Sequence, residues 1–258
     1  MKKESVFIET YGCQMNEYDS DRIINALNAI PTNEPNNADI IIINTCAIRE
    51  KADHKAVSAI GRYNKLKKDN PNLIIGMSGC VAQLYGKKLL KDMPYLDFVL
   101  GPRGIPQIPK IINNIRSEEK NRPIETSMDV EDVFDISPYH QEGKVVGFVS
   151  IQQGCNKKCA YCIVPTTRGS EINRPMPEII NESQDLVKKG ARELTYIGQT
   201  VNSWKHDGLR FFNLLDYLQE IDGLERIRFT TSFPKDITKK MIDSMKNNSK
   251  ICNQLHLP

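Results

Sequence analysis

Short apolar runs alternate with helix-type patterns through the first third of the chain. The runs that predict β-strands fall at residues 6–9, 40–44, 73–77 and 97–100. Between them, helical spacing or helix-favouring composition predicts helices at residues 18–29, 47–68 and 105–115. The second run is Ile-rich, as in strands buried on both faces of a parallel sheet. The pattern predicts an α/β domain over residues 1–115, an open parallel sheet with helices on its faces.

A second series of the same kind starts after an acidic stretch. Residues 116–144 are rich in Asp and Glu and lack sustained periodicity, which predicts an interdomain linker with one short strand. Beyond it, strands are predicted at residues 146–152, 193–197, 226–231 and 254–257, with helices at 177–189, 211–221 and 237–245. Residues 145–258 are therefore expected to form a partial β/α barrel, because closing such a barrel takes more than four strands.

Composition adds little to this picture but bears on the compartment. The 258 residues are 40% hydrophobic and 26% charged, and the net charge of +3 points to no particular partner. No apolar run is long enough to span a bilayer, so no membrane association is expected. The first residues do not resemble a signal peptide. The expected localisation is cytoplasmic, where cysteines bind metals or act in catalysis more often than they form disulfides.

Three cysteines, far apart in the chain, each follow a predicted strand of the first domain. We call Cys13, Cys46 and Cys80 the strand-end trio. Since the carboxyl ends of parallel strands meet at one edge of a sheet, these thiols are expected to lie together and hold an iron–sulfur cluster. Gly12 and Gly79 are expected to let the backbone approach that cluster. The alternatives are three separate buried thiols, or a zinc site, which would need a fourth ligand.

Three more cysteines share one loop at the end of the first predicted strand of the second domain. We call Cys155, Cys159 and Cys162, spaced CxxxCxxC, the loop trio. Three such thiolates can bind three irons of a 4Fe-4S cluster and leave the fourth iron open to a small molecule. The alternative is a zinc knuckle, which usually pairs two CxxC units; the sequence has no second one. The sequence thus predicts two 4Fe-4S clusters in one chain.

The cysteine loop resembles that of the radical S-adenosylmethionine (SAM) superfamily, and the whole chain resembles its methylthiotransferases. The resemblance is carried by residues 10–20, 44–52, 79–83, 154–169, 197–202 and 226–232. Gln14-Met15-Asn16 favours the branch that acts on N6-isopentenyladenosine in tRNA, since branches acting on threonylcarbamoyladenosine or a ribosomal protein carry other residues there. The chain departs from the family at Phe233, where histidine is usual. It also lacks the family's remaining barrel strands and C-terminal RNA-binding β-domain, so we expect a truncated sequence.

The resemblance implies a sulfur-inserting enzyme and its cofactors. The expected reaction is methylthiolation of C2 of N6-isopentenyl(dimethylallyl)adenosine next to the anticodon in tRNA. The cluster on the loop trio would bind SAM and cleave it reductively to a radical, and the auxiliary cluster on the strand-end trio would carry or donate the sulfur. The implied partners are tRNA and a reducing electron-donor protein, and the chain is expected to be a monomer. Alternatives are a methylthiotransferase for another tRNA base or a ribosomal protein, a non-catalytic iron–sulfur fragment, and a structural zinc protein.

Three polar residues are candidates to bind the cofactor. Arg168, after the cysteine loop, could neutralise a carboxylate or a phosphate. Gln199 and Asn202 follow the second predicted barrel strand, at the end of the barrel where active sites lie, and could contact cofactor or base. Trp204 could stack on a base, but a packing role is the favoured interpretation of this tryptophan.

Overall fold

The computed structural model divides into two compact units. It describes residues 3–47, 50–117, 122–130 and 133–258, and for residues 50–57 the backbone alone. The first unit is Met1–Tyr139 together with Thr166–Arg168, and the second is His140–Pro165 together with Gly169–Pro258. Parts of the predicted helix 47–68 and of the predicted linker lie outside the described residues, namely 48–49, 118–121 and 131–132. The first unit includes most of the predicted linker 116–144, and the division into 1–115, 116–144 and 145–258 stays a prediction.

The first unit is built on a six-stranded sheet whose strands all run parallel. They are β1 (Ser5–Tyr11), β2 (Ile30–Pro31), β3 (Ile40–Thr45), β4 (Ile74–Gly79), β5 (Phe98–Leu100) and β6 (Ile124–Glu125). Across the sheet the order is β2-β1-β3-β4-β5-β6. In open α/β sheets of this order, the crevice between β1 and β3 is the topological switch point, at which ligands bind.

Four helices cover the two faces of this sheet. They are α1 (Gln14–Ala26), α2 (Glu50–Asp69), α3 (Cys80–Asp92) and α4 (Ile108–Arg116). In β3, Ile40 and Ile42 pack with residues of α1 and α4, whereas Ile41 and Ile43 pack with residues of α2 and α3. All four isoleucines are fully buried. The strand is therefore apolar on both faces, as the Ile-rich run predicts.

The second unit contains a three-stranded parallel sheet and two short antiparallel ribbons. Its elements are β7 (Val146–Ser150), β8 (Gln152–Gln153), α5 (Val164–Arg168), β9 (Ile172–Asn173), α6 (Met176–Lys188), β10 (Glu193–Ile197), β11 (Lys205–His206), β12 (Leu209–Arg210), α7 (Phe211–Leu218), β13 (Arg226–Phe229) and α8 (Lys239–Asn247). The sheet order is β13-β10-β7, and the ribbons pair β8 with β9 and β11 with β12. The last three residues of α5 are counted with the first unit.

An apolar core holds the second unit together. Leu194 and Tyr196 of β10 pack with Ile227 of β13 and with apolar residues of α6, α7 and α8. Trp204 is fully buried in this core, and its indole N–H donates to the Arg174 carbonyl at 2.9 Å. A buried indole whose N–H is satisfied by the backbone has a packing role.

The α/β class is confirmed, and most predicted elements lie within a few residues of the observed ones. The predicted strand 254–257 is wrong, because that segment forms no ladder; the chain before it makes an isolated parallel β-bridge between Ile251 and Ile227. The sequence does not predict β2 or the two ribbons, since strands of two residues are too short to show alternation. Within the described ranges, no helix is both long and apolar enough to cross a membrane.

Candidate functional site

Three neighbouring strands of the first unit end in one row, and a cysteine follows each of them. Tyr11 of β1 pairs with Thr45 of β3, and Thr45 pairs with Gly79 of β4. The members of the strand-end trio follow within two residues of that row. The second and third are buried, and the first is exposed. The row includes both strands of the switch point, so the trio stands where this fold places ligands.

The first two cysteines of the trio are in contact. A hydrogen bond with the Cys46 thiol is the largest of the effects that lower the pKa of Cys13 to about 5. Desolvation of the Cys13 sulfur opposes it, while the charge of Arg168 and backbone hydrogen bonds from Asn16 and Met15 lower the pKa further. With such a pKa the group is a thiolate at neutral pH, which is the form that binds iron.

Asn16 fixes the backbone around this contact. The Cys13 N–H donates to Asn16 Oδ1 at 3.3 Å, and Asn16 Nδ2 donates to Asn44 Oδ1 at 3.0 Å and to the Thr45 carbonyl at 3.2 Å. Asn44 Nδ2 returns a bond to the Asn16 carbonyl at 2.8 Å. This buried network ties the start of α1 to the end of β3, which holds Cys13 beside Cys46.

The glycines beside the trio make room for protein atoms. Gly79 has φ +94°, and a Cβ there would lie 2.5 Å from Asn44 Oδ1 and press on the Thr45 carbonyl. A Cβ on Gly12 would lie 2.5 Å from Asn16 Cγ. The neighbours of both glycines are thus the Asn16 network and the end of β3. These glycines let the strand ends and α1 pack closely enough for the thiols to meet.

A buried charge network lies beside the strand-end trio. Arg168 donates to Asp19 Oδ2 at 2.8 Å, and Arg22 lies 3.7 Å from the other carboxylate oxygen. Burial lowers the pKa of Arg168, but the charges of Asp19, Cys80 and Cys13 raise it above its ordinary value. The structure therefore places this candidate cofactor-binding residue in the first unit, with the strand-end trio. Contact between Arg168 and SAM stays a prediction.

In the second unit, two glutamines hold the start of the cysteine loop. Gln152 Nε2 donates to the Gly154 carbonyl at 2.7 Å, and Gln199 Oε1 accepts from the Gly154 N–H at 2.5 Å. Gln152 Oε1 accepts from the N–H groups of Gln199 and Thr200 at 2.9 and 3.0 Å. The segments after β7 and β10 are thereby joined, and the joint fixes the path of the chain into Cys155.

Residue 154 can only be glycine in this path. Its φ is +78°, which is strained for any residue with a Cβ. A Cβ there would lie 2.6 Å from the Gly169 carbonyl oxygen and clash with that of Ser170. The Cys155 N–H donates to the same Gly169 carbonyl at 3.1 Å. The backbone at residue 154 therefore passes so close to the backbone at residues 169 and 170 that no side chain fits between them.

The loop trio is buried at its first member and more open at the other two. Cys155 is 8% exposed, and its sulfur lies 3.3 Å from the Thr200 hydroxyl. Cys159 and Cys162 are half-buried, and the Cys162 N–H donates to the Cys159 carbonyl at 3.1 Å. That bond closes a tight turn, which keeps the second and third thiols on one short stretch of chain.

Asn202 is engaged with the backbone of Phe233. Its Nδ2 donates to the Phe233 carbonyl and its Oδ1 accepts from the Phe233 N–H, both at 2.8 Å. Lys157 Nζ, from the cysteine loop, lies 4.6 Å from the centre of the Phe233 ring and pairs with Asp236. The Phe233 ring thus accepts a cation–π contact from a lysine of the cysteine loop. Contacts of Gln199 and Asn202 with SAM stay predictions.

The donor chemistry of both trios fits 4Fe-4S clusters. The described residues contain no group of three or more Cys, His, Asp or Glu side chains arranged around a single metal ion. A 4Fe-4S cluster binds each thiolate to a separate iron, and three cysteines leave one iron free. The Cys13 thiolate, the Cys46 thiol and the nearby cation Arg168 suit such a cluster. In the second unit, the fitting feature is a set of three thiols on one loop.

Two family models match the chain. Residues 5–101 match a model described as uncharacterized protein family UPF0004, and residues 149–258 match the radical SAM superfamily. The first match contains the strand-end trio and the second contains the loop trio. The second half of the chain therefore matches the radical SAM superfamily, and the first half matches a separate family model.

Curated relatives match over both domains. A protein from Thermodesulfovibrio yellowstonii named tRNA-2-methylthio-N(6)-dimethylallyladenosine synthase is 45% identical over 100% of this chain and 60% of its own length. A protein of that name from Ralstonia nicotianae is 43% identical over 100% of this chain and 58% of its own length. The chain is thus similar over its full length to proteins named as tRNA methylthio synthases. It spans about 60% of the length of these relatives.

Solved structures are similar in fold. The radical SAM methyltransferase TsrM from Kitasatospora setae gives a TM-score of 0.68 at 11% identity, covering 99% of this chain and 59% of that one. The cobalamin-dependent SAM radical enzyme OxsB gives a TM-score of 0.55 at 11% identity, covering 95% and 42%. At these identities the likeness concerns the fold alone.

Sequence reasoning finds the cysteines but not the residues that position them. Gln152 and Thr200 contact the cysteine loop at Gly154 and Cys155, and each is a polar residue just beyond an apolar strand. Asp19 is a carboxylate on the buried side of α1, between Tyr18 and Ile23. An acidic residue among apolar positions of a helix is a signal that could have been used, because such a charge is buried only when it is paired.

Proposed function

We propose that this chain contains the two cluster-binding domains of an enzyme that methylthiolates tRNA. The proposed reaction replaces the C2 hydrogen of N6-isopentenyl(dimethylallyl)adenosine, next to the anticodon, with a methylthio group. The proposed cofactors are SAM and two 4Fe-4S clusters, one on each trio. The observation that carries the proposal is the pairing of two cysteine trios at strand ends, each within a matched family model.

The need for a radical route follows from the substrate. An aromatic C–H bond of adenine has no acidity that a protein base could exploit at neutral pH. Bound clusters and SAM supply one-electron chemistry that activates such a bond, while the protein provides binding, orientation and exclusion of water. The protein's share of this work is therefore the placement of two sets of thiolates.

The named side chains have distinct roles in this placement. Gln152 and Gln199 fix the entry of the cysteine loop through Gly154. The Thr200 hydroxyl, 3.3 Å from the Cys155 sulfur, can donate a hydrogen bond to the thiolate. In the first unit, Asn16 holds the Cys13 backbone beside β3.

Iron content tests the two-cluster claim. After anaerobic reconstitution the chain should bind about eight irons, four in each cluster. The triple variant Cys155→Ala/Cys159→Ala/Cys162→Ala should keep about four. Cys252→Ala, which removes the one cysteine outside both trios, is the matched control and should keep the full count. Binding of one metal ion per chain, or retention of all iron in the triple variant, would refute the claim.

Nucleoside analysis tests the substrate. Deleting the gene for this protein should abolish the 2-methylthio form of N6-isopentenyladenosine in bulk tRNA and leave the isopentenyl precursor in its place. Mass spectrometry of digested tRNA measures both. Unchanged methylthiolation of this nucleoside, with loss of another modification, would favour a methylthiotransferase for a different base.

Partners and surroundings complete the proposal. We propose tRNA as substrate, a reducing protein as electron donor, a monomeric state and a cytoplasmic location. The relatives' printed name, which specifies a tRNA nucleoside, supports the first of these. A non-catalytic iron–sulfur protein is the second candidate. It would bind eight irons but fail to cleave SAM under reduction.

A further inference from the structure

One buried nitrogen beside the strand-end trio is left without a protein partner. Arg168 is 3% exposed at its side chain, and its Nη2 is taken by Asp19 at 2.8 Å. Its Nη1 is also buried, and no acceptor lies within hydrogen-bond distance among the described residues. A buried donor of a charged group that lacks an acceptor destabilises the folded protein. Arg168 Nη1 is therefore a buried, positively charged donor that is free to bond to a further acceptor.

The surroundings of Arg168 indicate what that acceptor is. Cys80 and Cys13 lie within electrostatic range of the guanidinium, and both are members of the strand-end trio. Asp19, the other anionic group that acts on it, is already paired. The other groups that act on Arg168 are thus two cysteines of the strand-end trio, at the place where a cluster with anionic sulfur would sit.

The side chain is not needed to anchor its own segment. The Arg168 carbonyl accepts from Arg103 Nε at 2.9 Å, and Arg103 Nη1 donates to the Met128 carbonyl at 2.7 Å. The backbone at residue 168 is therefore held by Arg103. The buried guanidinium of Arg168 therefore has an electrostatic role and not a backbone-anchoring one.

We propose that Arg168 donates a hydrogen bond from Nη1 to a sulfur atom of the cluster on the strand-end trio and stabilises that cluster's reduced form. The inference rests on the two-cluster function proposed above. Arginine keeps its proton in proteins, so it acts as a donor and not as an iron ligand. When one electron passes from the donor protein to the cluster, the cluster gains one negative charge and no bond breaks. A fixed cation nearby favours that state and raises the reduction potential.

The test compares two double variants in a chain that carries only this cluster. The background is the full chain with Cys155→Ala/Cys159→Ala/Cys162→Ala. Asp19→Asn/Arg168→Gln removes the guanidinium beside the trio, and the paired Asn avoids an orphaned carboxylate. Asp19→Asn/Arg22→Gln is the matched control with the same change in charge. Arg22 donates from Nε to the Ile136 carbonyl at 2.9 Å and from Nη2 to the Val133 carbonyl.

Iron content and midpoint potential by spectroelectrochemistry are the two readouts. We expect the Arg168 double variant to favour the oxidised cluster at least tenfold more than the Arg22 double variant, a shift of about 59 mV to lower potential for one electron. Loss of iron only in the Arg168 double variant would support the same role. Equal midpoint potentials in the two double variants, with four irons bound in each, would overturn the inference and leave the proposed function standing. A background chain that binds no iron would overturn the proposed function and the inference with it.

Discussion

At the scale of single residues, Gly154 decides whether the cysteine loop can form. Gly154→Ala should reduce iron binding by about four irons, because its Cβ would clash with the carbonyl oxygens of Gly169 and Ser170. The variant should also lose more than about 2 kcal/mol of unfolding free energy, from strain at φ +78° plus the clash. Iron assay and denaturant unfolding measure the two effects.

Gly208→Ala is the control for that substitution. Gly208 has φ +79° but nothing within 4 Å of the position a Cβ would take. This variant should lose only the conformational part, about 1 kcal/mol, and keep all of its iron. Equal losses in the two variants would show that crowding by the Ser170 backbone contributes nothing.

Glu193 gives the second unit a pH-dependent stability at the residue scale. A hydrogen bond from Arg226, at 2.7 Å, is the main effect that lowers the pKa of Glu193; desolvation opposes it and Arg228, at 2.8 Å, adds to it. Because the folded pKa lies below the unfolded one, the pairing stabilises above the unfolded pKa, near 4.3, and is lost as pH falls through the folded value.

Glu193→Gln should therefore destabilise the chain by about 0.5–1 kcal/mol at pH 7, and the difference from wild type should shrink below about pH 4. Urea unfolding at both pH values measures this. Glu220→Gln, at an exposed position, is the control and should change stability little at either pH. A difference that grows on acidification would contradict the assignment.

At the scale of elements, β4 and β5 pack closely because Gly76 of β4 has no side chain opposite Phe98 of β5. Gly76 pairs with Phe98, and a Cβ on Gly76 would clash with the outer edge of the Phe98 ring. Gly76→Ala should destabilise by about 1–3 kcal/mol through overpacking. Gly61→Ala, on an exposed turn of α2 where a Cβ would meet only the Tyr95 hydroxyl at 3.9 Å, should stabilise by about 0.5–1 kcal/mol. Thermal unfolding should thus move in opposite directions for the two variants.

The elements that sequence predicts best are those with a strong and repeated signal. The Ile-rich run at β3 is long enough to show that this strand is buried on both faces. The apolar spacing of α1 is long enough to show that this helix is buried on one face. By contrast, β2 is two residues long and exposed, so it shows no periodicity, although it sets the edge beside β1. The predicted strand 254–257 is wrong because the chain's β-bridge with β13 is at Ile251, and the segment after it joins no ladder.

The site divides in the same way. Chain position alone brings three cysteines to one edge, because parallel strands end together. The partners of Arg168 are beyond reach of such reasoning, since Asp19 is 149 residues away and no local pattern links them. The same holds for Gln152 and Thr200, whose contact depends on the register of β7 with β10.

At the scale of the whole molecule, the two units have separate apolar cores. Trp204 is the one tryptophan in the chain, and it is buried in the core of the second unit. Ile42 lies in a core of the first unit, and Leu194 in that of the second; both are fully buried. Tryptophan fluorescence therefore reports on one core, whereas far-UV circular dichroism reports on both.

Leu194→Ala should lower the midpoint of the fluorescence transition, since such a substitution costs about 2–5 kcal/mol. Ile42→Ala should leave the midpoint of the fluorescence transition unchanged, because Trp204 lies in the other unit. It should shift only the circular dichroism change that comes from unfolding of the first unit. Urea titration with both probes measures this. Identical shifts of the two probes in both variants would mean that the chain unfolds as one cooperative unit.

The contact between Cys13 and Cys46 has a practical consequence for handling the protein. An exposed thiolate is the first to be oxidised by peroxide or air, and the sulfenic acid that forms condenses with an adjoining thiol, releasing water and leaving a disulfide. A chain purified aerobically would then have two of the three proposed ligands bridged to each other. Treatment with a thiol reductant before iron is added should restore the missing half of the metal, and the proportion restored would record how far the bridge had formed.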